Sequence, residues 1–255
     1  MIATDKAVER QGSMKRILIK LSGEALAERE TPEVDGKKKE KRLYDSVFVD
    51  EVAAALARLV KEGFEPAVVV GAGNIWRGRQ GDEMDRTAAD RMGMLATVIN
   101  AIYLKDAIIR AGVGATVMTA VPMAPFADVY SAEAAVSALE SGKVVIFGAG
   151  LGIPFISTDT AGAVRASEIG ADAMLMAKNV DYIYTDDPRK NDKAERLENV
   201  RASEVLARNL KAIDATATAF CMSVGMPIRV FGLKSAEDIV RAAHGEVCGT
   251  VITAE

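Results

Sequence analysis

The chain carries a single histidine, His244, among 255 residues. A histidine-based triad and a multi-histidine metal site are therefore excluded. Chemistry is left to Lys, Arg, Asp, Thr and backbone amides. The two cysteines, Cys221 and Cys248, stand apart with no C-x-x-C pair. They read as packed, reduced thiols and suit a cytoplasmic setting. No apolar run approaches the ~18 residues of a membrane span, and the first residues lack the apolar segment of a secretory signal. A net charge of -4 gives no basic field for nucleic acid. An anionic ligand would have to be held by local cations.

What is present is a globular composition, 49% hydrophobic with a mean hydropathy of +0.10. Residues 1–13 are polar and aperiodic and read as a flexible tail. Strands and helices alternate over 14–255, the pattern of a mainly parallel α/β sheet covered on both faces. The first strand is expected to end at Lys20, and a helix capped by Asp45 follows, with Val49, Val52, Leu56, Leu59 and Val60 on its apolar face. A second strand over 67–70 leads to a long helix over 90–110, buried through Leu95, Val98, Ile99, Ile102 and Ile109. Strands over 143–147 and 173–177 come next, then helices over 205–210 and 214–225. The charged stretch 28–42 reads as a solvated loop or as a mobile flap beside the first glycine turn.

Three small-residue turns follow three of these strands: Leu21-Ser22-Gly23, Gly71-Ala72-Gly73-Asn74, and the run from Gly148 to Gly152. Open α/β sheets bind ligands at the strand ends. Small residues there let backbone N–H groups approach an anion, and a following helix N-terminus adds positive potential. Neither G-x-x-x-x-G-K-[ST] nor G-x-G-x-x-G is present, which disfavours a P-loop and a dinucleotide fold. Phosphoryl transfer needs mainly in-line positioning and cations where charge spreads. Lys20 and Lys178 each end a strand and could converge on such a group, and Arg77 could clamp a monoester phosphate. Each has a plainer alternative. Lys178 could be a surface cation, and Asp90, Asp159 and Asp214 could be helix caps.

Taken in order, the segments Lys15–Leu26, Gly71–Gly78, Asp90–Asn100, Ser157–Thr160 and Ala177–Asp181 make the chain resemble the bacterial UMP kinases of the amino-acid kinase superfamily. The likeness runs from about residue 15 to 252, and the segment Met92-Gly93-Met94-Leu95-Ala96-Thr97 is its most specific piece. The resemblance implies a three-layer α/β/α amino-acid kinase fold, with an acceptor lobe over about 14–170 and an ATP lobe over about 171–255. It implies transfer of the γ-phosphoryl group of ATP to UMP, with Mg2+ on the ATP phosphates and no dedicated protein metal site. Lys20, Asp159 and Asp214 would be catalytic, Asp214 by orienting the lysine. Gly71, Ala72, Gly73, Arg77, Asp90 and Thr158 would hold UMP. Lys20, Ser22, Gly23, Lys178, Asn179, Asp181, Tyr184 and Asp187 would border ATP. A homohexamer is implied, with the 90–110 helix as a contact element.

The chain departs from the family pattern at the third turn. Leu151 and Ile153 stand where polar residues are expected near the uracil. Unmatched polar edges on a buried base cost roughly 1–3 kcal/mol per group, enough to shift acceptor specificity. A same-fold kinase with another acceptor, and a non-catalytic nucleotide- or oxyanion-binding protein, are the alternative readings.

Overall fold

A parallel strand covered on both faces has no wet side, so it is built from consecutive apolar residues. Four strands have this character: β1 (Arg16–Leu21), β4 (Glu65–Val70), β7 (Val144–Gly148) and β8 (Ala173–Lys178). They occupy the middle of the sheet in a computed structural model that describes residues 14–28, 33–34, 37–38, 42–76, 84–186, 190–210, 213–246 and 248–255. The expected tail over 1–13, most of the 28–42 stretch, Arg77 and Asp187 lie outside the described residues.

The remaining strands of this sheet are β5 (Ala115–Thr119), β6 (Asp128–Val129), β11 (Asn199–Arg201), β12 (Ile228–Gly232) and β13 (Gly249–Thr253). The order is β11-β13-β12-β8-β1-β4-β7-β5-β6, nine strands in all. Every neighbouring pair is parallel except β12 with β13. Two small antiparallel pairs stand outside it: β2 (Glu33–Val34) with β3 (Lys37–Lys38), and β9 (Ile183–Tyr184) with β10 (Arg196–Leu197).

Side chains alternate across the sheet and divide the core in two. Ile17, Ile19 and Leu21 of β1 pack with α1 (Gly23–Leu26), α2 (Ser46–Lys61), α3 (Arg86–Arg110) and α8 (Glu237–Ala243). Leu18 packs on the opposite face with α4 (Ala132–Glu140), α5 (Thr158–Glu168), α6 (Ala202–Ala207) and α7 (Ala215–Val224). This is the mainly parallel three-layer α/β/α arrangement that the alternating pattern and the resemblance together imply. Asp45 caps α2, accepting the Phe48 N–H at 3.1 Å. Gly225 ends α7 at a φ of 70°, a left-handed turn that glycine adopts without a Cβ penalty.

The structure corrects the sequence at α3 in two ways. The helix starts at Arg86 and is capped by Asp85, which accepts the Ala88 N–H at 3.0 Å; Asp90 lies inside it. Of the expected buried stripe only Val98 is buried, while Leu95, Ile99 and Ile109 are 54%, 50% and 50% exposed. The inward face is made of Ala89, Ala96, Thr97, Asn100, Ala101, Leu104, Ala107 and Ile108 as well as Val98. Apolar residues occur all round α3, so periodicity does not choose a face. Close approach does: a Cβ on Gly148 would lie 3.1 Å from Val98 Cγ2, so only small groups fit between helix and sheet. Among the described residues α3 is also the one helix long and apolar enough to cross a membrane, a property that core helices share. A smaller correction concerns α6, which begins before residue 205.

Candidate active site

Lys20 follows Ile19 on the strand, so it emerges on the face that carries Leu18 and α5. β1 lies between β4 and β8, which puts Lys20 at the centre of the row of strand ends. Lys178 is the last residue of β8 and leaves the sheet beside it. Ser157 caps α5, accepting the Thr160 N–H at 3.1 Å, and this turn presents Asp159 to both lysines. Lys20 Nζ lies 2.8 Å from Asp159 Oδ1, and Lys178 Nζ lies 2.7 Å from Asp159 Oδ2.

One carboxylate thus holds two ammonium groups, with Lys20 and Asp159 buried and Lys178 partly so. Burial pushes the Asp159 carboxyl up, but the charges of Lys20 and Lys178 outweigh it and leave the group below its usual range. Burial, and then the Lys20 charge, draw Lys178 below its ordinary value despite Asp159. The arrangement is a fixed patch of positive charge with one counter-ion, suited to a phosphoryl group in transfer. It also makes Asp159 more than a helix cap, since Ser157 caps α5.

Asp214 caps α7 through the Thr216 N–H at 3.1 Å, and its other oxygen accepts from Thr160 Oγ1 at 2.7 Å and Ser157 Oγ at 2.5 Å. Among the described residues it makes no ion pair with a lysine. Its carboxylate steadies the first turn of α5, and so Asp159, and its charge partly offsets the burial that draws the Lys178 pKa down. The resemblance implied that Asp214 orients the lysine; the geometry routes any such effect through α5.

The first and second glycine turns press together. A Cβ on Gly23 would meet Asn74 Oδ1 at 2.5 Å, the Gly71 carbonyl at 2.7 Å and the Gly73 nitrogen at 2.7 Å. Ala72 lies between the two glycines, half-buried, and Ser22 caps the short helix α1. The third turn is strained. Gly150 and Gly152 have φ of 57° and 76°, and two residues with side chains, Ala149 and Phe155, have φ of 60° and 66°. Two residues of α3 hold those two backbones. Thr97 Oγ1 accepts the Ala149 N–H, and Asp90 Oδ2 accepts the Phe155 N–H, each at 2.8 Å. Asp90 also takes Arg86 Nε on both oxygens, at 3.0 and 3.1 Å. Leu151 is half-buried and Ile153 is 53% exposed. Thr158 is the first residue of α5.

On the β8 side, Asp181 accepts the Tyr184 hydroxyl at 3.0 Å, and Arg196 donates to that hydroxyl at 3.3 Å. Sequence reading did not single out Arg196; its pairing with Tyr184 comes from the β9–β10 register, which no motif announces. Asn179 is exposed. Two cavities meet at Lys178. One, of about 590 Å³, is lined by Glu24, Gly73, Asn74, Asn179 and Gly232 among others. The other, of about 350 Å³, is lined by Asp159, Leu206, Asn209, Asp214 and Thr218 among others. Among the described residues no cluster of acidic, His or Cys side chains could hold a metal ion on its own.

Residues 15–232 match the model of the amino acid kinase family. Among solved structures, a UMP kinase from Bacillus anthracis is 34% identical with a TM-score of 0.86, covering 95% of this chain and 97% of that one. A UMP kinase from Ureaplasma parvum is 33% identical with a TM-score of 0.85, covering 94% and 99%. The uridylate kinase of Archaeoglobus fulgidus, at 24% identity, a TM-score of 0.67 and coverage of 92% and 99%, shares the fold. With the family model spanning most of its length and its site built at the strand ends, the chain belongs to the amino acid kinase family.

Proposed function

We propose that the chain is a UMP kinase: it transfers the γ-phosphoryl group of ATP to UMP and releases ADP and UDP. The observation that carries this reading is the buried Lys20–Asp159–Lys178 cluster, set at the strand ends beside the glycine turns. The likeness to UMP kinases over nearly the whole chain supports the choice of acceptor.

In the reaction a phosphate oxygen of UMP attacks the γ-phosphorus of ATP. A new P–O bond forms as the bond to the β–γ bridging oxygen breaks, and the electron pair leaves on ADP. Charge spreads over the transferring oxygens, where Lys20 and Lys178 stand ready, so little reorganisation is needed. Asp159 keeps the two cations in place without becoming the base. Gly71, Ala72, Gly73 and Arg77 would bind the UMP phosphate through amides and a guanidinium, with Asp90 at the ribose and Thr158 beside it. Ser22 and Gly23 would face the transferring phosphate. Asn179, Asp181, Tyr184 and Asp187 would border the ATP site. Magnesium would arrive as part of the MgATP substrate, held by phosphate oxygens, since both Asp159 oxygens are taken by lysines.

Leu95, Ile99 and Ile109 line an exposed apolar stripe on α3, which supports a homo-oligomer, a hexamer by the family resemblance. We place the protein in the cytoplasm on the same resemblance.

The test is ADP formation from MgATP with UMP, CMP, dCMP, GMP and AMP offered separately. Selective turnover of UMP is expected. Turnover of a different monophosphate would mean that Leu151 and Ile153 have redirected the base pocket. No turnover with any acceptor, from folded protein, would remove the enzymatic reading.

A further inference from the structure

β4 stops at Val70, so the carbonyl of Gly71 has already left the ladder and needs a donor from elsewhere. That donor is Asn100 of α3, which is fully buried. Its side-chain nitrogen donates to the Gly71 carbonyl at 2.7 Å and to Asn74 Oδ1 at 2.8 Å. Its oxygen accepts from Asn74 Nδ2 at 3.1 Å and from the Tyr44 hydroxyl at 2.8 Å. Both amide hydrogens and both acceptor directions are used, so the side chain can adopt one orientation only. Tyr44 is fixed in turn. Its ring stacks on Tyr103, the next turn of α3, with centroids 3.8 Å apart and planes 10° from parallel. Burial, and then the neighbouring Tyr103, push the Tyr44 phenol up to about 12, so it stays a donor at neutral pH.

The contacts continue into the first turn. Asn74 Oδ1, held by Asn100, occupies the space where a Cβ on Gly23 would sit. A purely space-filling residue at 100 would serve the packing of α3 equally well but would leave the Gly71 carbonyl buried without a partner. The polar choice makes sense if the position of the turn matters.

We propose that Asn100 is a positioning residue for phosphoryl transfer, fixing the second glycine turn against the first through Gly71 and Asn74, and that Tyr44 fixes Asn100. The inference rests on the reading of Gly71–Gly73 as the acceptor-phosphate turn. It adds a residue pair that contacts no substrate, joining α3 and the N-terminal end of α2 to the reaction centre.

The experiment is steady-state kinetics on the full chain and on Asn100→Ala, Asn100→Asp and Tyr44→Phe, with UMP and ATP varied separately and unfolding temperatures measured alongside. Asn100→Ala should raise the KM for UMP and lower kcat, for a loss in kcat/KM on the order of tenfold to a hundredfold, because small misplacements of a binding group are amplified in transfer. The KM for ATP should move much less. Asn100→Asp keeps the volume but sets an acceptor against the Gly71 carbonyl, and should follow Asn100→Ala. Tyr44→Phe keeps the ring and loses one hydrogen bond; it should lose a few-fold in the same direction, and nothing more when added to Asn100→Ala. Folded variants with unchanged kcat/KM for UMP would overturn the proposal. So would losses that follow the unfolding temperature while the KM for UMP stays fixed. If Asn100→Ala does not fold, Tyr44→Phe decides. Failure of the full chain to use UMP would strike the functional reading instead, and the same ratios would then be read with whichever monophosphate it accepts.

Discussion

The Lys20 ammonium lies 2.8 Å from Asp159 Oδ1, and both side chains are nearly closed to solvent. The carboxylate faces a second ammonium, Lys178, on its other oxygen. A buried and a partly buried cation sit this close only with a shared counter-ion, so Asp159 sets both the spacing and the charge of the site. Asp159→Asn should lower kcat by roughly 10²-fold while leaving the KM for UMP within a small factor, since it disturbs placement of the cations rather than the Gly71–Gly73 turn proposed to hold the acceptor. Steady-state kinetics reads this. A variant with wild-type kcat would return Asp159 to a structural role.

The same cluster fixes a pH dependence of stability. Asp159 and Asp214 both have folded-state pKa values below the ordinary 3.8: burial opposes this, the lysines overcome it at Asp159, and the hydrogen bonds from Ser157, Thr160 and the Thr216 amide overcome it at Asp214. Where the folded value is depressed, the unfolded chain binds more protons in between, so stability rises with pH there. The contribution is therefore complete above the ordinary carboxylate value and lost as pH falls through the lower folded values. Lys178, depressed below 10.5 by burial and Lys20, has the same sign, and its unfavourable protonated form is relieved as pH rises towards 10.5. Urea midpoints measured from neutral pH downward should fall in the acid range. In Asp159→Asn that acid limb should be shallower, and a limb of unchanged slope would show that other carboxylates dominate.

How much of this was legible in the sequence differs from residue to residue. The inner strands were readable because both faces are buried and their residues run apolar without a break, as in Val68-Val69-Val70. The Asp45 cap was readable because an Asp before an apolar periodic run has a local cause. The face of α3 was not, because Leu95 and Ile99 are as apolar as Leu104 and Ile108, and only contact with the sheet separates them. The start of α3 was read at residue 90, with a cap one of two roles left open for Asp90; the helix begins at Arg86 and Asp85 is its cap. At the site, the convergence of Lys20 and Lys178 could be anticipated because each ends a strand, whereas Asp159 alone reads as a helix cap. That one carboxylate would receive both lysines depends on β1 pairing with β8, a long-range fact that no local pattern contains. The roles of Thr97, Asn100 and Tyr44 were invisible for the same reason.

Gly23 tests how tightly the first two turns must approach. Its absent Cβ would stand 2.5–2.7 Å from Asn74 Oδ1, the Gly71 carbonyl and the Gly73 nitrogen, and two of these are backbone atoms that cannot swing aside. Gly23→Ala must therefore part the turns, at a cost of about 1–3 kcal/mol in stability. Activity should fall by more than stability predicts if, as proposed, both turns face phosphate, because their separation displaces both backbones at once. Thermal unfolding and kcat/KM for UMP, measured together, check this. Wild-type activity would mean that the close approach serves packing alone.

The outward face of α3 gives the last prediction. Leu95, Ile99 and Ile109 are each half exposed or more, and Ile102 is 40% exposed, on the same helix whose inner face carries Asp90, Thr97 and Asn100 to the turns. A row of large apolar side chains is costly to leave in water, at about 25 cal/mol per Å² of apolar surface. Burial against a second copy would remove that cost and brace the helix that holds the second and third turns. Sedimentation should find the chain as an oligomer, and Ile99→Glu should dissociate it by placing a charge in the contact. Because α3 positions the turns, the dissociated variant should also lose acceptor affinity, although Ile99 faces away from the site. A monomeric wild type would leave the stripe without a partner copy, and an Ile99→Glu monomer with full affinity for UMP would show that α3 holds the turns without help from assembly.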